Sequence, residues 1–563
     1  MREIGLTDVA VENVDVHGWR FRGASVSTVG DPAIHAEASS FGGVTPTAAG
    51  GVTGRVVAVG TARRSVLDGM DLRGAVVLAE WRSRSPSPYV TALEVARRGA
   101  VALVVTCPAR GPWWQSDGAL GAFDGHWPAG GIPMVFITKD DAVRIAREAR
   151  DRPVEVRVTL HAEVTPRAAG HNTVGYLAGS APGPIVVGAH HDGWFRGAFD
   201  DASGVAVLLA IAKALVATGW EPAYSVCFTS RTGEEFGIAD SSYDWCIGAW
   251  EQIATTHPRW ADESPFHLCL EATGWPDLKA IVEAPIDLAG WSRRVARAAD
   301  REGWWPNGWR LGPPVSGTEM WPYLVSGVPS VATYSWETTF AHTDYHSQFD
   351  TPDRLDYDLM ATQARAYSLF LVEADRDPDA AVDHTARARQ LSRIAAESDH
   401  DRLLAAADRH RTRHGRPGFT AVGRHLVALD AKGSVAYPHE QSQRDLAALD
   451  TALEAIDAED AKKALQALAK VGDNGLFTYA SDATVSDVIA RSEPAAAARS
   501  WARNSHLTPG PNLWTVMAGL AQSPGSRPAG PWLRAAVADA ADAARAEMDR
   551  RLDAMAEVLD SLP

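Results

Sequence analysis

Histidine and carboxylate side chains follow several apolar runs of the sequence, and these are residue types that bind zinc. The run PIVVGA at residues 184–189 is followed by His190 and Asp192, and the same loop continues to Asp200. The next run, AYSVCFTS, is followed by Glu234 and Glu235. Because adjacent carboxylates repel each other unless a positive charge binds them, this pair indicates a cation site.

Two further apolar runs end in the same kinds of side chain. FHLCLEATG places Glu271 after a strand-like segment, and VPSVATYS leads through a polar loop to Tyr345 and His346. Two histidines and three carboxylates exceed the needs of one tetrahedral zinc ion, whereas two ions that share a bridging carboxylate would use them all. Two such ions, roughly 3.5 to 4 Å apart, hold a hydroxide and polarise a carbonyl while a free carboxylate accepts the proton of water. Glu234 and Glu235 divide naturally into base and ligand.

The elements that must position these side chains alternate between strand and helix. From residue 172 to residue 378, long apolar runs alternate with amphipathic helices, which is typical of a mostly parallel sheet with helices on both faces. Open α/β sheets of this kind bind ligands at the carboxyl ends of their strands. The segment DASGVAVLLAIAKAL predicts a helix that begins at Asp201 or Ser203 and ends at Gly219.

Changes in pattern divide the chain into four regions. Residues 1–45 read as short strands that contribute to the catalytic unit, 46–160 as a small α/β unit, and 161–384 as the doubly wound sheet unit. Residues 385–563 read as a helical region. Its apolar stripes could close within one chain or on a second subunit, and periodicity does not separate these possibilities.

Composition excludes several classes of protein. The 563 residues include 70 Asp and Glu against 54 Lys and Arg, a net charge of -16 that disfavours nucleic acid and acidic membranes as partners. The longest apolar run, residues 205–215, is too short to span a bilayer. The first sixteen residues show no secretory leader, so a cytoplasmic protein is expected, or a secreted one if a leader was removed. The four cysteines lack metal-ligand spacing and are expected in the core.

The segments GAHHDGWFRGAFDDASG, GEEFG and YHSQFDT together resemble the co-catalytic zinc peptidases, which include bacterial aminopeptidases and glutamate carboxypeptidase. The resemblance implies two Zn²⁺ ions and a zinc exopeptidase fold. It also implies a role for each matched residue: His190, Asp200, Glu235, Glu271 and His346 as metal ligands with Asp200 bridging, Glu234 as general base, Asp192 as the carboxylate that orients His190, and Tyr345 as a group that steadies the oxyanion.

One ligand position departs from that family. Glu271 stands where the family usually places Asp, so the second metal could sit differently, bind more weakly or prefer another ion. Residues 46–160, with DLRGAVVLAEW and GIPMVFITKDD, resemble the protease-associated domain that roofs the active site of larger members. The helical C-terminus resembles their dimerisation domain, which implies a possible homodimer.

Several alternatives stay open at this point. An aminopeptidase acting on a peptide or small amide is the leading prediction, with a carboxypeptidase, a specialised small-amide or dipeptide hydrolase, and a non-catalytic receptor-like protein as alternatives. Three neighbouring residues have simpler interpretations: His191 as a structural histidine, Asp201 as a helix cap, and Asp350 as a turn or cap residue. Trp194, between His190 and Asp200, is instead expected at the pocket wall.

Overall fold

Thirteen strands form one mixed sheet in the computed structural model, which describes residues 1–30, 33–82, 85–108, 111, 113–122, 131–237, 245–411, 415–426, 438–488, 490, 511–521 and 530–562. In chain order the strands are β1 Thr7–Thr28, β2 His35–Ser40, β3 Val52–Gly60, β4 Ala75–Glu80, β5 Ala102–Thr106, β6 Met134–Ile137, β7 Glu155–Leu177, β8 Ala181–His190, β9 Tyr224–Arg231, β10 His267–Leu270, β11 Ala280–Glu283, β12 Trp309–Gly312 and β13 Ser330–Ser335.

Residues 482–488 are helical, and seventeen further α-helices have both ends among the described residues. They are α1 Arg64–Leu67, α2 Pro88–Arg97, α3 Lys139–Asp151, α4 Ser203–Thr218, α5 Ile247–Glu251, α6 Trp260–Glu263, α7 Ile286–Arg301, α8 Met320–Ser326, α9 Thr338–Thr343, α10 Tyr357–Arg376, α11 His384–Glu397, α12 Asp401–His410, α13 Arg416–Leu426, α14 Pro438–Asp457, α15 Ala461–Leu468, α16 Trp514–Ala521 and α17 Pro531–Asp560.

The sheet contains two parallel blocks joined by a long antiparallel ribbon. Strands β9, β8, β10 and β13 run parallel in that order, and β3, β4, β5 and β6 form the second parallel block. The two longest strands, β1 and β7, pair antiparallel along most of their length, and β7 also pairs with β3 and β9. The predicted α/β class with a mostly parallel sheet is therefore confirmed. Strand β7 crosses the predicted boundary between residues 160 and 161.

Helix α4 packs against the parallel block that carries the candidate site. It begins at Ser203 and ends at Gly219, whose φ of 67° is the left-handed conformation that glycine adopts without strain, so the predicted helix is confirmed. Its Leu208 and Ile211 are fully buried in the core between sheet and helices, a burial worth about 1.5 to 3 kcal/mol for each side chain. By length and composition the segment Ala198–Thr218 could cross a membrane, but in this fold it is a core helix.

The apolar stripes of the C-terminal helices are buried within the chain. Leu449 of α14 and Val537 of α17 share a hydrophobic core with Leu93 of α2. Polar contacts fix the same interface, because the buried Glu94 carboxylate accepts hydrogen bonds from the side chains of Ser481 and Thr484. The C-terminal helices therefore pack on the small α/β unit of the same chain. The four cysteines are buried thiols, as expected.

Candidate metal centre

The parallel block presents its polar side chains at one edge of the sheet. His190 is the last residue of β8, and Glu234 and Glu235 follow β9 by three and four residues. Glu271 is the first residue after β10, and His346 lies in the loop that follows β13 and α9. Because these strands are parallel, their carboxyl ends bring side chains from four separate parts of the chain to one place.

The Asp200 carboxylate lies between the two histidines. Its Oδ1 is 3.3 Å from His190 Nε2, and its Oδ2 is 3.4 Å from His346 Nε2. Each histidine also has a glutamate nearby: Glu235 Oε2 lies 2.8 Å from His346 Nε2, and Glu271 Oε1 lies 3.9 Å from His190 Nε2. The structure therefore brings together the five residues that the sequence nominates as metal ligands.

The donor atoms fit divalent zinc in type and in spacing. Two ligand atoms that each lie about 2 Å from a tetrahedral ion are themselves separated by about 3.3 Å, which is close to the separation of Asp200 from each histidine. His190 Nε2 and Glu271 Oε2 are buried and have no hydrogen-bonding partner in the described part of the chain. An uncompensated buried polar atom is costly, so a cation that both atoms bind would stabilise the site.

Asp192 positions the site chiefly through backbone groups. Its carbonyl oxygen lies 2.9 Å from His190 Nδ1, whereas its carboxylate is 3.7 Å from the same nitrogen. The carboxylate instead accepts hydrogen bonds from the backbone N–H groups of Glu234 and Glu235, at 3.2 and 3.1 Å. The orientation of His190 by the Asp192 side chain, which the resemblance implies, is thus shared with the Asp192 carbonyl.

Two further aspartates hold the site, and sequence reasoning assigned them only capping or turn roles. Asp201 accepts hydrogen bonds from the backbone N–H groups of Gly204, Ala272 and His190. It thus satisfies an N–H in the first turn of α4, whose N-cap position is Ala202, and also ties the ends of β8 and β10 together. The Asp350 carboxylate accepts hydrogen bonds from the backbone N–H groups of Asp200 at 3.1 Å and of Phe199 at 2.7 Å. The sequence signal that could have indicated this role is their position beside predicted ligands, since Asp201 follows Asp200 and Asp350 lies four residues after His346.

Burial and mutual repulsion shift the pKa values of the clustered acids. Burial raises the pKa of Glu234 well above its ordinary value, and the carboxylate of Glu235 raises it further against the opposing effect of His190. Burial likewise raises the pKa of Glu271, to which Glu234 contributes. For Asp200 burial acts in the same direction, but contacts with the two histidines lower its pKa below the usual range. The cluster holds more negative charge than its histidines balance, which suits positive ions.

The small α/β unit of residues 46–160 reaches into the site and fixes the His346 loop. The Ala122 N–H donates to the His346 carbonyl at 2.9 Å, and Trp114 Nε1 donates to the Tyr345 carbonyl at 2.7 Å. His346 has a φ of 50°, a conformation that non-glycine residues rarely adopt, so these contacts hold a strained backbone in place. The Tyr345 ring stacks on the His346 imidazole with centroids 3.6 Å apart.

A cavity of about 520 Å³ opens onto the acid cluster. Its lining includes Glu234, Glu271 and Tyr345 at the metal site and Glu283 and Arg310 farther away.

His191 and Trp194 lie beside the ligand cluster and not within it. His191 is exposed, and its Nδ1 lies 3.0 Å from the Ser230 hydroxyl, which agrees with a structural role. Trp194 lies with its ring centroid 6.1 Å from that of His346. It therefore flanks the metal site, but the described residues that line the cavity of about 520 Å³ do not include it.

Comparison with known proteins agrees with this geometry. Residues 172–371 match the sequence pattern of peptidase family M28. The chain is 26% identical over 221 residues to the glutamate carboxypeptidase 2 homolog of Caenorhabditis elegans, a match that covers 35% of this chain and 28% of that protein. It is 27% identical over 229 residues to aminopeptidase NAALADL1 of Rattus norvegicus, covering 36% and 30% respectively. The match thus spans less than a third of the length of either relative.

Solved structures share the fold over a longer stretch. The peptidase M28 precursor of Shewanella amazonensis superposes with a TM-score of 0.54 at 21% identity, covering 66% of this chain and 85% of that one. BSAP, a zinc aminopeptidase from Bacillus subtilis, superposes with a TM-score of 0.50 at 17% identity, covering 66% and 86%. Identities this low establish a common fold. Taken with the sequence match, they show that residues 172–371 resemble peptidase family M28 in sequence and that the chain shares the fold of its solved structures.

Proposed function

We propose that the protein is a zinc metallopeptidase, an exopeptidase of the aminopeptidase type, that hydrolyses a peptide or small amide bond with two metal ions. One observation carries the proposal: the Asp200 carboxylate presents one oxygen to His190 and the other to His346, in the manner of a bridging ligand. Aminopeptidase is the named activity of two of the similar proteins, NAALADL1 and BSAP.

Two ions that share Asp200 would be held by two sets of residues, with His190 and Glu271 completing one and Glu235 and His346 completing the other. Glu234 also lies within ligand distance of His190 and Glu271, and we assign it the role of base. When bound, the ions polarise the substrate carbonyl, activate water and keep the neighbouring carboxylates ionised. Glu271 is longer than the aspartate usual at this position, and its Oε1 still reaches within 3.9 Å of His190 Nε2.

Glu234 is placed to move the proton from water to the leaving amine. Its Oε2 lies 4.0 Å from His190 Nε2, and its Oε1 lies 3.3 Å from the Cys246 thiol, which fixes the carboxylate. With only 5% of its surface exposed, it is shielded from bulk water. Tyr345 lines the same cavity, where its phenol can donate a hydrogen bond to the substrate carbonyl oxygen.

The region of residues 46–160 acts in this proposal as a protease-associated roof over the site. The hydrogen bonds from Ala122 to His346 and from Trp114 to Tyr345 support that role. A homodimer formed through residues 385–563 and a cytoplasmic location remain predictions from sequence.

Substitution of Glu234 by Gln tests the assignment of the base. The amide keeps the size of the side chain but cannot act as the proton acceptor. The kcat should therefore fall by about 10²-fold to 10⁴-fold while the metal content per chain stays unchanged. Turnover of aminoacyl and N-acyl amides, with metal analysis of the same samples, provides the measurement. The exposed Glu302 changed to Gln is the matched control. Undiminished hydrolysis by the Glu234 variant would reject the role of Glu234.

Substrates blocked at one end distinguish the alternatives. An aminopeptidase requires a free amino terminus, a carboxypeptidase requires a free carboxyl terminus, and a small-amide hydrolase cleaves dipeptides but not longer chains. A receptor-like protein would cleave none of them. Loss of activity with a chelator and its return with Zn²⁺ would support the metallopeptidase, whereas activity unaffected by complete metal removal would contradict it.

A further inference from the structure

An apolar surface extends from the metal site onto the N-terminal ribbon. It consists of Trp19 and Phe21 on β1, Val164 on β7, and Trp194 in the loop after β8, and we call it the aromatic shelf. Trp19 pairs with Val164 in the β1 and β7 register, so their side chains share one face of the ribbon. The Trp19 ring lies 5.7 Å from that of Phe21 and 6.1 Å from that of Trp194. Trp194 in turn contacts His346.

The shelf is open to solvent at the end far from the metal site. Phe21 is 37% exposed and Val164 is 44% exposed, whereas the two tryptophans are half-buried. Single exposed apolar residues are ordinary, but a contiguous apolar surface beside a reactive site marks a place where a ligand binds. Continuity with His346 through Trp194 favours the substrate as that ligand over an unrelated partner.

Both tryptophans on the shelf hold a buried N–H group without an acceptor. The Nε1 atoms of Trp19 and Trp194 are shielded from solvent and make no hydrogen bond within the part of the chain that the structure describes. Indole nitrogens donate only, so each needs a carbonyl or carboxylate oxygen. Because both atoms are shielded from solvent, the indole rings must turn as a peptide binds, and its backbone carbonyl groups would then supply acceptors that a purely apolar ligand lacks.

The dimensions of the shelf set the length of that peptide. Two ring-to-ring steps of 6.1 Å separate His346 from Trp19, which places Trp19 at most about 12 Å from the metal ligand. An extended chain advances at most about 3.3 to 3.6 Å per residue, so roughly three residues beyond the scissile bond reach Trp19.

We propose that the aromatic shelf binds the distal part of a peptide substrate and favours an aromatic side chain at about the third residue beyond the scissile bond. This inference rests on the proposed peptidase function and adds to it a preference for oligopeptides over single-residue amides. It also gives the strands of residues 1–45 a role in the active site. A second copy of the chain on the shelf is the competing occupant.

Matched pentapeptides test the preference. Leu-Ala-Ala-Phe-Ala and Leu-Ala-Ala-Ala-Ala differ only at the third residue after the first bond, and a leucine anilide contains nothing that reaches the shelf. The wild-type enzyme should cleave the first bond of the phenylalanine peptide with a kcat/KM about tenfold higher, the size expected for an aromatic contact with apolar burial. Trp19→Ala should abolish this ratio through the KM of the phenylalanine peptide, with leucine anilide hydrolysis as the reference for general damage to the site, whereas Trp19→Phe should retain most of the ratio.

A second variant and a binding measurement keep the outcome interpretable. Val164→Asp changes an exposed position, so it should fold and should lower the same ratio. In Glu234→Gln, calorimetry should show about tenfold tighter binding of the phenylalanine peptide. If the phenylalanine peptide binds more tightly but the wild type hydrolyses no peptide, the proposed peptidase function is wrong while the peptide-binding role of the aromatic shelf is supported. Equal kcat/KM for both peptides in the wild type, or a change of oligomeric state in the shelf variants, would overturn the inference.

Discussion

Glu283 is a buried acid whose ionisation should make the stability of the protein depend on pH. It ends β11 with 3% of its surface exposed, and its carboxylate accepts hydrogen bonds from the Tyr334 hydroxyl and from the Val315 N–H at 3.2 Å. Burial raises its pKa from 4.5 to about 7, although the hydrogen bonds and the charge of Arg310 oppose the rise.

The direction of the effect follows from proton binding. Between pH 4.5 and pH 7 the folded protein keeps a proton on Glu283 that the unfolded chain has released, so the free energy of unfolding falls as the pH rises. The slope approaches 1.36 kcal/mol per pH unit, which gives a total loss of about 3 kcal/mol that is complete above pH 7. Glu283→Gln cannot ionise and should remove this part of the pH dependence.

Urea unfolding at pH 4.5, 5.5, 6.5 and 8 measures the effect. The difference in unfolding free energy between wild type and Glu283→Gln should shift in favour of the variant by about 3 kcal/mol across this range. Taking the difference cancels the pH dependence of the metal site, which both proteins share. Glu302→Gln, at an exposed helix end, should show no such trend. Parallel curves for wild type and Glu283→Gln would refute the assignment of the buried acid.

Two other substitutions test how the site and its supports are held. Asp192→Asn replaces one carboxylate oxygen by an NH₂ group, which cannot accept a hydrogen bond, so one of the two bonds from the backbone N–H groups of Glu234 and Glu235 is lost. The zinc affinity, measured in competition with a chelator, should therefore fall about 10-fold to 100-fold. Unchanged affinity would contradict the positioning role. Arg387→Met leaves the buried Asp287 carboxylate without its partner at 2.6 Å, and should lower the unfolding free energy by about 3 to 5 kcal/mol in urea titrations. A loss below about 1 kcal/mol would show that Asp287 finds another partner.

The catalytic sheet was predictable because its signals are local. Buried parallel strands read as continuous apolar runs, and helix α4 has apolar periodicity with Gly219 at its end. Once those elements are recognised, the shared edge of a parallel sheet brings His190, Glu235 and Glu271 together without knowledge of any side-chain conformation. The identity of the bridging carboxylate came only from family resemblance.

The contacts between regions were not predictable, because they depend on pairing between distant segments. Nothing in the sequence near Ala122 indicates that its N–H binds the carbonyl of His346, more than two hundred residues later. The sequence of strand β1 likewise predicted only short separate strands, since the register of β1 with β7 contains bulges that shift the pairing. The contact between the rings of Trp19 and Trp194 depends on that register, because the register sets the face of the ribbon on which Trp19 lies.

Asp201 illustrates why a correct local interpretation can be incomplete. Its spacing before α4 indicates a helix cap, and it does accept a hydrogen bond from the Gly204 N–H at 3.0 Å. A carboxylate has about four acceptor positions, however, and a cap uses only one of them. Because Asp201 is fully buried, the remaining positions depend on protein groups, and the N–H groups of Ala272 and His190 satisfy two of them. The same side chain therefore starts the helix and fixes the strand ends that carry the metal ligands, and burial rather than spacing separates this role from a simple cap.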